Sequence, residues 1–246
     1  MPNPYFDPGE QRAAKVQSLF NRIASRYDLI NDLQSFGLHR LWKRRVLALA
    51  APKNGERALD LCCGTGDLAL ALNGLCASVI GIDFSERMIE VAAERARKAD
   101  KSATPSKRSA ISFILADAQK LPFRDGSFDI VTMGYGLRNL PGWEDGLREI
   151  HRILKPGGRA MILEFAKPPN AVWRRVYYAY LKLFVPILGA TFCRDRQAYA
   201  YILESLQHYP GQAVIADRMS QAGWANVKTF NFLGGVMSIN YGERLP

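Results

Sequence analysis

From residue 57 onward, short apolar runs alternate with amphipathic stretches of helical period. That alternation restricts the chain to helices packed on a mostly parallel sheet. The first run, Ala58-Leu59-Asp60-Leu61-Cys62, is cut off by Gly64-Thr65-Gly66, the pattern of a buried strand turning into a helix. A helix is expected over 67–75, a strand over 79–83, and a helix from Ser85 as N-cap to Glu94. A polar loop at 100–110 leads to strands at 111–115 and 128–133, then a helix at 143–154. The Lys-Pro-Gly-Gly turn at 155–158 separates that helix from a strand at 159–165. Residues 167–209 break the rhythm with an aromatic, basic, helical insertion. A helix at 212–222, a stop at Gly223 and strands at 226–232 and 235–241 close the chain. The first 50 residues are amphipathic, basic and without a strand, which suits a helical cap over the C-terminal edge of the sheet.

The expected architecture is therefore one doubly wound, mostly parallel, seven-stranded α/β domain of Rossmann-like type. A cap (1–50) leads to a ligand-binding core (51–166), an insertion (167–209) and a terminal helix with a strand pair (210–246). The 246 residues suffice for one such domain.

The chain carries a net charge of +10, which points to an anionic partner. Half of that excess sits in residues 167–201, where Lys167, Arg174, Arg175, Lys182, Arg194 and Arg196 face a single acid, Asp195. The same segment interleaves Trp173, Tyr177, Tyr178, Tyr180 and Phe184. The longest apolar run, 183–193, contains Pro186 and Gly189 and is shorter than the ~20 residues of a membrane-spanning helix. The N-terminus lacks a basic-then-apolar leader, so secretion is not expected. Cys62, Cys63, Cys76 and Cys193 fit neither a zinc site nor a disulfide framework, and three scattered histidines supply no metal-ligand spacing. A reduced cytosolic compartment is the expectation, with no metal.

Gly64 and Gly66 at a strand-to-helix turn allow close backbone approach by a ligand, a signal shared with dinucleotide-binding folds. The acids narrow the choice. Asp60 before the turn and Asp67 after it would repel a pyrophosphate, but would suit a phosphate-free ligand bearing ammonium and sulfonium groups, S-adenosylmethionine. Asp83, closing the second strand, stands where an acid accepts both ribose hydroxyls. Asp117-Ala118 after the third strand would lie beside the adenine amino group.

Three longer motifs then carry a resemblance. Y-D-L-I-N-D-L-Q-S-F-G-L-H-R-L-W (27–42), G-L-R-N (136–139) and R-I-L-K-P-G-G-R-A-M-I-L-E-F (152–165) resemble the menaquinone/ubiquinone C-methyltransferases, class I S-adenosylmethionine-dependent enzymes. The resemblance spans nearly the whole chain. It implies a polyprenyl quinol substrate, C-methylated from demethylmenaquinol to menaquinol, with 2-methoxy-6-polyprenyl-1,4-benzoquinol as a second substrate. It implies Thr65, Asp83, Asp117 and Ala118 as cofactor contacts, beside Gly64 and Gly66 of the turn. Ala166 and Ile30 depart from the usual serine and methionine, and Gly134 replaces a serine near the cofactor in many members.

Ring-carbon methylation needs a neighbouring hydroxyl to lose its proton, so the site must stabilise a phenolate. Arg138 at the end of the fourth strand suits that task, with a salt bridge to an acid such as Asp83 as the competing structural reading. Asn139 would orient a water or the ring oxygen. His39 is a possible base, though a packed, hydrogen-bonded histidine is the plainer reading; His151 and His208 read as structural. The basic aromatic insertion suits contact with an anionic membrane, where a polyprenyl quinol resides. Location on the inner face of the cytoplasmic membrane follows, with a homo-oligomer possible and nucleic acid not expected as a partner. The competing functions are an RNA methyltransferase, against which G-Y-G-L-R-N stands where a base-stacking N-P-P-Y loop would be, and a non-catalytic cofactor-binding scaffold.

Overall fold

A computed structural model describes residues 3, 5, 9, 11–102, 110–193 and 196–246. Its sheet consists of β1 (Arg57–Leu61), β2 (Ser78–Asp83), β3 (Ala110–Leu115), β4 (Phe128–Gly134), β5 (Leu154–Phe165), β6 (Trp224–Phe232) and β7 (Met237–Arg244). The order is β3-β2-β1-β4-β5-β7-β6, with β7 antiparallel to both neighbours and the other pairings parallel. Successive side chains of a strand point to opposite faces. Accordingly Leu59, Leu61, Val131, Met133, Ala160 and Ile162 enter one apolar layer. Ala58, Ile130, Met161 and Leu163 enter the other. Burial on both sides explains why these strands read as continuous apolar runs.

The first segment forms α1 (Arg12–Ile23), α2 (Tyr27–Ser35) and α3 (Leu38–Ala50), without a strand among the described residues. The α1 helix sits over the C-terminal ends of β2 and β4. Gln17 donates to the Phe84 carbonyl (2.7 Å), Ser85 Oγ donates to Asn21 Oδ1 (2.6 Å), and Arg12 donates to the Arg138 carbonyl (2.6 Å). Phe36 and Gly37, both left-handed, turn the chain between α2 and α3.

The core helices are α4 (Asp67–Leu72), α5 (Glu86–Ser102) and α6 (Trp143–Ile153). The α4 helix stops before the expected 75, because Asn73 turns to an extended conformation. The α5 helix instead continues eight residues past Glu94. Its polar end is a solvated helix face, carrying a Glu94–Lys98 pair (2.7 Å). The remainder of the expected loop, 103–109, lies outside the described residues. Nor do the Lys155–Gly158 residues separate two elements: they form an irregularity within β5, where register against β4 jumps from Leu154 to Arg159.

The insertion folds as α7 (Ala171–Leu188), a π-helical turn (Gly189–Cys193) and α8 (Arg196–His208). Arg194 and Asp195 of the basic segment lie outside the described residues. The α9 helix (Gln212–Gln221) precedes β6, and Gly223 (φ 83°) makes the stop between them.

Candidate functional site

Two cavities lie at the C-terminal edge of the parallel strands. The first, about 300 Å³, is lined by Gly64, Asp83, Asp117, Ala118 and Asn139 together with Tyr27 and Tyr135. Asp83 is the buried one of its two acids, and its carboxylate oxygens accept the Gly64 and Ser85 backbone N–H groups, each at 2.9 Å. Burial pushes its carboxyl above the usual carboxylate range, against those two hydrogen bonds. Each oxygen keeps acceptor capacity for a ligand hydroxyl. Asp117 accepts the Gln119 N–H (2.9 Å), bracing the turn that presents Ala118. Ile82, Phe84 and Met88 supply an apolar wall suited to a flat base.

The backbone beside this cavity is unusual. Cys62 (φ 54°) and Tyr135 (φ 62°) are non-glycine residues in left-handed conformations, an arrangement that concentrates at functional sites. They are held by close packing: a Cβ on Gly136 would meet the Cys62 Cβ at 2.5 Å.

Thr65 and Gly66, expected at the cofactor, stand outside the cavity lining. Thr65 is buried and donates to Asp28 Oδ1 (2.7 Å). Gly66 (φ 85°) gives room where a Cβ would press on Ala92 and Phe113 at 3.1 and 3.2 Å, so it serves helix–sheet packing.

The charge argument from Asp60 and Asp67 also needs correction. Asp60 accepts the Ala69 N–H (2.9 Å) and the Thr132 hydroxyl (2.8 Å), and burial pushes its carboxyl up to about 7. Asp67 is paired with Lys43 (2.5 Å) and Arg95 (2.6 Å). Burial alone would raise its pKa, but the two cations hold it below the usual range. Neither acid presents a free negative charge to the first cavity.

Arg138, expected at the reacting atoms, points elsewhere. Its guanidinium donates to Glu164 Oε1 (2.6 Å), the Tyr135 carbonyl (2.8 Å) and Ser205 Oγ (3.3 Å), and stacks on the Phe165 ring at 4.7 Å. Arg138 is 5% exposed and Glu164 1%. The acid that claims it is therefore Glu164 rather than Asp83. Burial works against the charged guanidinium, but Glu164, together with Tyr201 and Tyr27, keeps its pKa above the ordinary value. The ion pair fixes the Tyr135–Asn139 turn. Asn139, in contrast, does line the cavity: its Nδ2 donates to the Tyr135 carbonyl and its Oδ1 accepts from Tyr201, both at 3.0 Å.

Tyr135 also lines the second cavity, about 280 Å³, formed by α2, α3 and α7. Its walls are mostly apolar, with Phe36, Trp42, Phe165, Val176 and Leu181 among them, and His39 is buried in its lining. The sequence reading assigned no role to Tyr27, Tyr135, Glu164 or Asp32. Glu164 alone left a signal, as a single acid inside an apolar strand that had to find a partner. Among the described residues, no group of three or more His, Cys, Asp and Glu side chains is placed to hold a metal ion.

Comparison with known proteins shows the family. The model of the ubiE/COQ5 methyltransferase family matches residues 8–244. The chain is 41% identical to the ubiquinone/menaquinone biosynthesis C-methyltransferase UbiE of Azotobacter vinelandii over 96% of its length and 92% of that protein. It is 40% identical to UbiE of Pseudomonas fluorescens strain Pf0-1, over 96% and 91%. Solved structures with a similar fold include a methyltransferase from Aquifex aeolicus (TM-score 0.56, 16% identity, covering 82% of this chain and 89% of that one). Another is a Haemonchus contortus N-methyltransferase bound to S-adenosylhomocysteine (TM-score 0.60, 17% identity, 83% and 52%).

Proposed function

We propose that this chain, which belongs to the ubiE/COQ5 methyltransferase family, converts demethylmenaquinol to menaquinol, with 2-methoxy-6-polyprenyl-1,4-benzoquinol as a second substrate. S-adenosylmethionine-dependent C-methylation in quinone biosynthesis is the activity of its family, and the first cavity fits that cofactor. Asp83 offers free acceptor capacity for ribose hydroxyls, the Asp117-Ala118 turn faces the same space, and an apolar wall awaits the base. The cofactor supplies an electrophilic methyl group when bound. The chain's own task is alignment and exclusion of water.

The observation that supports a polyprenyl quinol is the second cavity. It meets the first at Tyr135 and is bordered on its outer side by the exposed side chains of Phe36, Trp173, Val176 and Leu233. A ring seated near Tyr135 leaves a hydrocarbon tail room to run outward between α2 and α7. Purified protein given S-adenosylmethionine and dithionite-reduced quinols should methylate the naphthoquinol and, as the second substrate, the benzoquinol, read by mass spectrometry. Methylation of neither ring refutes the reading and favours a scaffold.

The outer surface of α7 suits an anionic bilayer. Val172, Val176, Leu183 and Ile187 recur at helical spacing and are more than half exposed, while Tyr177, Leu181 and Val185 face inward. Arg174, Arg175 and Lys182 lie on the same helix. Among the described residues, no helix is long and apolar enough to cross a membrane, so the contact proposed is peripheral, on the inner face of the cytoplasmic membrane. Neutralising the three cations together should weaken binding to anionic liposomes by about 1 kcal/mol per residue, and wild-type binding should fade with salt. Equal sedimentation of variant and wild type would remove the membrane contact.

A further inference from the structure

Apolar walls do not account for the inner end of the second cavity. Three buried side chains there carry polar atoms without a hydrogen-bond partner: His39 Nδ1, Tyr135 Oη and Tyr177 Oη. These residues are between 4% and 7% exposed. Gln34 Oε1 joins them. Buried polar atoms are almost always paired, so such a convergence in one cavity marks the place where a ligand brings hydroxyl groups. The exposed lining residues, Phe36 and Val176 among them, define the opposite, outer end.

Within that set His39 has a defined tautomer. Its Nε2 lies 2.8 Å from Asp32 Oδ1. Asp32 is also gripped by Arg40, whose Nε and Nη2 approach at 2.8 and 2.6 Å. Arg40 first, and His39 second, hold the Asp32 carboxyl down at about 2. An ionised carboxylate only accepts, so Nε2 carries the hydrogen and the lone pair of the neutral ring falls on Nδ1. Burial lowers the His39 pKa and keeps the ring neutral, although Asp32 opposes this.

We infer that His39, oriented by Asp32, is a catalytic residue that accepts the ring-hydroxyl proton of the substrate at the inner end of the second cavity, an assignment that rests on the quinol reading above. The O–H bond breaks, its electron pair stays on oxygen and feeds the adjacent ring carbon, and an N–H bond forms at Nδ1. After the carbon has gained its methyl group, its hydrogen leaves to water as a proton. Nδ1 then returns the borrowed proton to the ring oxygen. One proton is released per turnover, and the histidine ends neutral. Asp32 stabilises the transient imidazolium without taking the proton, as the carboxylate does in other carboxylate–histidine pairs. This division leaves Arg138 to hold the Tyr135–Asn139 turn rather than touch the reacting atoms.

The charged and titratable groups around His39 come from every element packed on it. They are Asp32 on α2, Arg40 and Lys43 on α3, Asp67 at the start of α4, Tyr135 after β4, and Tyr177 and Tyr180 on α7. Lys43 disfavours the imidazolium, whereas Asp32 and Asp67 favour it.

The test uses the full chain with His39→Ala and Asp32→Asn, demethylmenaquinol as substrate and 4-nitro-1-naphthol as a coloured acidic probe. Wild-type kcat/KM should rise with pH along a limb below the ordinary histidine pKa. In His39→Ala kcat should fall about a hundredfold or more, the usual scale for losing a general base. The limb should vanish, S-adenosylmethionine affinity should persist, and added imidazole should restore part of the rate. Asp32→Asn, at a partly exposed position, should keep the melting temperature and still lose about tenfold in kcat through the wrong tautomer. Without cofactor, the bound naphtholate band should persist to a pH about one unit lower in wild type than in His39→Ala. Retention of the rate, the limb and the probe titration in His39→Ala overturns the assignment. If His39→Ala does not fold, Asp32→Asn with an unchanged rate and probe titration overturns it equally. A wild type that neither methylates the quinol nor binds the naphthol removes the quinol reading itself, and the assignment with it.

Discussion

Replacing Arg138 by methionine should destabilise the protein by about 3–5 kcal/mol, the largest stability loss expected from a single change at this site. The physical cause is the partner left behind. Glu164 is 1% exposed and takes the Arg138 guanidinium at 2.6 Å. Removing the cation strands a carboxylate where water cannot reach it. The loss should appear as a lower midpoint in urea with an unchanged slope. The double variant Arg138→Met, Glu164→Met should recover much of it, because two apolar side chains need no counter-charge. Arg138→Lys should recover little, since an ammonium on a flexible stem cannot serve Glu164, the Tyr135 carbonyl and Ser205 with one planar fork. Any fall in kcat should follow displacement of Tyr135 and Asn139, so it should shrink in the double variant. A single variant with full stability and a hundredfold lower kcat would return Arg138 to the reacting atoms.

Asp83→Ala should weaken S-adenosylmethionine binding by about 1.5–3 kcal/mol, or on the order of ten- to a hundredfold in Kd. Two effects combine. The ribose hydroxyls lose a charged acceptor, and the Gly64 and Ser85 N–H groups lose the oxygens that now position them. Asp83→Asn keeps one acceptor oxygen and should fall between wild type and alanine. Calorimetry on folded protein measures this directly. Unchanged affinity in folded Asp83→Ala would take the ribose role away from Asp83.

The strand–helix alternation and the Gly64–Gly66 turn were legible because they depend on period and on local φ/ψ, which neighbouring residues set. The seven strands follow from that alone. Element ends were less legible. Glu94 and Lys98 look like loop residues, yet they pair across one helical turn and lengthen α5. At 155–158, the Lys-Pro-Gly-Gly residues look like a turn, yet they bulge inside a strand.

Charge pairing lay further from reach, because it joins residues distant along the chain. Asp67 meets Lys43 and Arg95, and Arg138 meets Glu164. A sequence displays each acid as though it stood free, so the repulsion reading of Asp60 and Asp67 did not hold, and the acid beside Arg138 is Glu164 rather than Asp83.

By itself, then, the sequence determined the architecture and set Asp83 at the end of the second strand, in the lining of the first cavity. It did so because buried strands and glycine turns leave local marks. Only the tertiary structure decided which acids are neutralised, that Tyr135 stands between two cavities, and that Asp32 orients His39 across the Phe36-Gly37 turn. Those outcomes depend on burial and on contacts between separate elements, where the loss of water sets which charges and protons a side chain can hold.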